Sequence, residues 1–139
     1  MERTFPWALR TFLWSMLLAS CARNWGLEPT TRTVEMDYIA WACECANWAD
    51  SQALTLHNDP DAMAARCVYI EPADPTLSLP DTLGYSMDRI AFTGNYYQQP
   101  GFPDGYASDQ SPEPARVFRY TAYAVIRSNH AEVRGLMRE

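Results

Sequence analysis

The sequence contains no lysine; all eleven of its basic residues are arginine. A Schiff-base lysine, a lysine nucleophile, a phosphate-binding Walker loop and a Ser-Lys hydrolase all need that amine, so each is excluded by inspection. Histidine is nearly missing too, with only His57 and His130 in 139 residues. There is no Gly-x-Ser-x-Gly nucleophile elbow and no His-Glu-x-x-His zinc signature. Nor is there an uncharged apolar run near the roughly 20 residues that span a bilayer as a helix. The carboxylates Asp50, Asp59, Asp61, Asp74, Asp81 and Asp88 fall mostly where turns and caps are expected. The chain therefore reads as a non-catalytic protein.

What it has in quantity is apolar and acidic. Hydrophobic residues make up 47% and aromatics 13%, enough for a packed core in one domain. The net charge of −6 repels phosphate backbones, so nucleic acid is not an expected partner.

The N-terminus carries Arg3 and Arg10 ahead of a ten-residue uncharged run, Thr11 to Ser20. That length suits the apolar centre of a signal peptide and is too short for a membrane-anchor helix. The run ends in Leu18-Ala19-Ser20-Cys21, which resembles the lipobox of bacterial lipoproteins. The resemblance implies a signal peptide over 1–20 and a Cys21 that becomes fatty-acylated (palmitate-type chains) as the first mature residue. It implies a membrane-bound envelope protein, and Ala22 after the cysteine resembles outer-membrane sorting. A competing reading cleaves after Ala22 and secretes the chain freely. Residues 21–32 read as the acylated cysteine and its tether, 33–127 as the folded domain and 128–139 as a polar tail.

Within the domain, Thr33 to Cys45 alternates as a strand, with Val34, Met36, Tyr38, Ala40 and Ala42 on one face. Asp59-Pro60-Asp61 predicts a helix start, with Asp59 as N-cap, and an end near Arg66. Cys67 to Glu71 is a second strand and Arg89 to Tyr97 a third, with Gly94 marking a bulge. Val117 to Arg127 is the last, expected to turn Phe118, Tyr120, Ala122, Ala124 and Ile126 inward. A fifth is expected within Ala53 to His57. This is a mainly β pattern, fitting a small OB-like closed or half-open barrel with one short helix, or else a small β-sandwich.

Three cysteines remain once Cys21 is set aside. On one strand Cys43 and Cys45 would share a face and look at Cys67, predicting a disulfide from Cys67 to one of the pair. The alternative is a metal- or thiol-handling protein, with Cys43, Cys45, Cys67 and His57 suited to Cu or Zn. Otherwise no cofactor is expected. The aromatics Trp41, Trp48, Tyr97, Phe102 and Tyr106 flank the cysteines and the long loop after Tyr97. They are candidate ligand contacts for an envelope protein or a glycan.

Overall fold

The computed structural model describes residues 26–54, 59–84 and 88–127. Cys21, His57, the signal-like run and the tail from 128 lie outside them. Five strands form one closed barrel: β1 (Arg32–Tyr38), β2 (Trp48–Asp50), β3 (Val68–Pro72), β4 (Arg89–Tyr96) and β5 (Arg116–Arg127). Their order around the wall is β1-β2-β3-β5-β4, and β4 returns to pair with β1 over six residues. β3 runs parallel to β5 while every other pairing is antiparallel. This is the OB-like arrangement, and among the described residues continuous pairing around the wall leaves no second sheet to make a sandwich. Two one-turn helices, α1 (Ser51–Leu54) and α2 (Pro60–Ala64), lie between β2 and β3. A 3-10 turn at Pro75–Leu77 follows β3.

Alternation builds the interior. Along β4 the pattern is strict, with Ile90, Phe92, Gly94 and Tyr96 buried and their neighbours half-buried. Met36, Trp48, Val68, Phe118 and Tyr120 complete the buried set, with Val34, Tyr38, Ile70 and Tyr123 against it. The rings meet edge to face: Trp48 stands 5.2 Å from both Tyr38 and Phe92, at interplanar angles of 70° and 87°. The β2–β3 seam is the narrowest, joined by the single pair Trp48↔Val68.

Three strand expectations need correction. β1 ends at Tyr38 rather than Cys45, and Ala40 and Ala42 are exposed. The chain must reverse to bring β2 back beside β1, and Ile39 N–H already bonds Asn47 O across that reversal. The fifth strand is Trp48–Asp50, with Ser51–Leu54 helical instead. In β5 the inward set changes parity. Gly94 pairs with Tyr120 and Thr93 with Ala122, so Thr121 is an extra residue and the next inward side chain is Tyr123. Ala122, Ala124 and Ile126 consequently face out.

The helix start holds as read: the Asp59 side chain accepts from Asp61 N–H, Pro60 opens α2, and Ala65 caps it. The stretch read as the end of a tether is bonded to the barrel. Glu28 N–H bonds Tyr96 O, and the Glu28 carboxylate pairs with Arg32 at 2.8 Å and Arg116 at 3.0 Å. Residues 26–31 thus begin on the barrel surface.

Candidate functional site

Two loops decide what the outer wall of the barrel presents. The β1–β2 loop, residues 39–47, and the β4–β5 loop, residues 97–115, fold over the outside of β2, β3 and β5. Between them they build a second small core: Ala46, Ala49, Cys67, Tyr69 and Val117 are buried under Ile39, Trp41, Tyr97, Phe102 and Tyr106. Phe102 and Tyr106 stack face to face at 5.0 Å, and both tilt onto Tyr69. Gly101 and Ala115 bridge the two ends of the long loop.

A polar network ties the long loop to the wall. Glu71 on β3 is buried; its carboxylate accepts from Tyr97 Oη at 2.7 Å and Asp104 N–H at 2.9 Å, and pairs with Arg119 at 3.4 Å. Burial, then the bond to Glu71, pushes the Tyr97 hydroxyl above its ordinary pKa. At the far end the loops clasp each other through Glu44. Its N–H donates to Gln110 Oε1 at 2.9 Å, and its carbonyl accepts from the Tyr106 hydroxyl. The Tyr69 hydroxyl stands 3.5 Å from the same oxygen.

Glu44 lies inside a disulfide, Cys43–Cys45, and Cys67 is a free buried thiol. The expected bond from Cys67 to one of the pair is not formed. It presumed a strand through Cys45, in which residues two apart stand about 6.6 Å from each other. The bend brings the two Cα atoms to 5.2 Å, and the pair joins to itself. Burial raises the Cys67 thiol, partly offset by the Trp41 indole N–H beside it. That indole nitrogen is buried without an oxygen partner.

Beside this clasp lies an open groove of about 970 Å³. Trp41, Cys43, Cys45 and Ala46 form one wall, α2 with Asp61 and Arg66 another, and Pro100 with residues 113–116 the third. Cys67 and Val68 also line it. Its charges are mixed, with Asp50, Asp61 and Glu113 against Arg66 and Arg116. Arg116 is held in place, its guanidinium 3.7 Å over the Tyr96 ring while it pairs with Glu28.

The sequence candidates divide accordingly. Trp41 lines the groove with all three described cysteines. Trp48 points into the barrel, while Tyr97, Phe102 and Tyr106 pack the second core with part of each ring exposed. Two cysteines joined to each other offer no thiolates, and no cluster of three His, Cys, Asp or Glu suited to a metal occurs among the described residues. Sequence reasoning missed Arg66, Arg116, Glu44 and Gln110. The α2 cap signal located Arg66 in the chain but not the side of the barrel it would face. Among the described residues no helix is long and apolar enough to cross a membrane. No family model, curated protein or solved structure matches the chain.

Proposed function

We propose that the chain is a non-catalytic envelope lipoprotein, held on the membrane through acylated Cys21, whose barrel binds a glycan or an envelope protein in the groove beside Trp41. The lipobox-like Leu18-Ala19-Ser20-Cys21 supports the anchor. The groove supports the binding role: it is concave and roomy, with an aromatic wall and arginines and carboxylates converging on it. It lies between the β1–β2 and β4–β5 loops, the two that flank oligosaccharide and oligonucleotide sites on OB barrels. A net charge of −6 makes a nucleic acid the poorer ligand of those two. If Cys21 carries the anchor, Gly26, whose carbonyl accepts from Gln98 N–H on the barrel, is five residues from it in sequence, at most about 18 Å along the chain. The groove would then work within a short distance of the membrane surface.

Membrane fractionation after labelling with a fatty-acid analogue tests the anchor. Cys21→Ser should lose the label and leave the membrane fraction while the barrel stays folded. A labelled or fully membrane-bound variant would sink the anchor. Purified cell-wall sacculi and detergent-solubilised envelope serve as the two probes for the groove. Arg66→Ala with Glu113→Ala, both exposed on the groove, should abolish retention on one of them without moving the melting curve; unchanged retention removes the groove from the proposal.

A further inference from the structure

We propose that Cys43–Cys45 is a thiol–disulfide exchange site, taking as substrate a dithiol carried on a peptide segment that enters the groove. This goes beyond the binding role and does not depend on the membrane anchor.

The bridge is poorly placed to be a structural staple. It spans a single residue, ties no two elements together, and so removes little freedom from the unfolded chain. It is accessible: Cys43 is exposed, Cys45 half-buried, and both stand on the groove wall. Exposed disulfides are the ones that exchange. The tip of the loop is held without it. Glu44, the residue between the two sulfurs, is fixed through its N–H by Gln110 and through its carbonyl by Tyr106. Ile39 N–H bonds Asn47 O at the base of the loop. Breaking the S–S bond therefore leaves two thiols positioned to close it again, as a reversible site requires. Trp41, Ala46, Pro100 and Pro114 give the groove an apolar wall for a peptide. Cys67 shares the groove but is buried, and burial holds it as a thiol, so it stands aside from the reaction.

The step balances on the substrate's own electrons. One substrate thiolate attacks Cys43 Sγ, the S–S bond breaks, and its electron pair passes to Cys45 Sγ, which takes a proton. The second substrate thiolate then attacks the substrate sulfur of the mixed disulfide. The pair leaves on Cys43 Sγ, which takes the second proton. The substrate ends as a disulfide and the protein as a dithiol.

The test uses the full chain in detergent and a synthetic peptide with two cysteines, followed by mass spectrometry after acid quenching and alkylation. One peptide disulfide should form per protein molecule, about tenfold faster than with a linear peptide disulfide as oxidant. Cys67→Ser should react like the native chain. Cys45→Ser should trap the oxidised peptide as a mixed disulfide on Cys43. A bridge that stays oxidised under excess peptide, yet is reduced once urea unfolds the chain, overturns the proposal. So does full activity in the Cys43→Ser, Cys45→Ser double variant, whose fold is checked by circular dichroism.

Discussion

Gly94 sits where β5 passes too close for any side chain. A Cβ there would lie 2.1 Å from Arg119 O and 2.7 Å from Tyr120 Cα, both backbone atoms with nowhere to move. Gly94→Ala should therefore cost about 3 kcal/mol or more, at the upper end for overpacking. Urea unfolding followed by tryptophan fluorescence measures it, and a loss under 1 kcal/mol would mean that β5 can yield at its bulge. The glycine was legible in the sequence because it interrupts an otherwise regular strand. Thr121 was not. It reads as one more step of alternation, and only the pairing of β5 against β4 reveals the extra residue.

At the scale of the element, the β4–β5 loop is a second layer of packing over the outer wall. Phe102 is only partly buried, but it stacks on Tyr106 and tilts onto Tyr69. Phe102→Ala should lower stability by about 2–3 kcal/mol, short of the ~3–5 for a fully buried ring. The measurement is the denaturant midpoint; a shift near zero would return the ring to the role of a ligand contact. This loop's prolines marked it as irregular, and its rings marked it as more than a solvated connection. That the rings cover β3 could not be read, because it depends on Glu71 reaching Tyr97 and Asp104 across 26 and 33 residues. Similarly, the pattern from Thr33 onward was a sound strand reading as far as Tyr38. Beyond it, apolar alternation in Ile39 to Cys45 answered to the second core and not to the barrel.

At the scale of the whole molecule, four tyrosines are held neutral by their surroundings. Burial raises Tyr69, Tyr96, Tyr97 and Tyr120 above the ordinary value of 10.0, Tyr120 to about 12. A folded pKa above the unfolded one means stability fully present below pH 10 and lost as pH rises through the folded values. For enclosed Tyr120, whose hydroxyl also donates to Leu77 O, the share is about 2–3 kcal/mol. Urea midpoints should hold steady from neutral pH to about 10 and then fall steeply towards about 12. Tyrosinate absorbance should lag behind that of the unfolded chain. Midpoints that stay flat across this interval would show the rings to be far less enclosed.

The sequence by itself determined that the domain is mainly β, where α2 begins, that Arg89 to Tyr96 alternates, and that Gly94 breaks the pattern. Each is a local consequence of backbone sterics, capping or a two-residue period, and each survives without knowing any distant partner. Tertiary structure decided the rest. Barrel closure through β1 and β4 fixed the order of the strands, and the reversal at Ile39 turned two cysteines of an expected strand towards each other. Two loops far apart in sequence met at Glu44, bringing Trp41, Arg66 and Arg116 to one groove. Those outcomes depend on contacts across dozens of residues, where the free energy of packing, and not local preference, selects the partner.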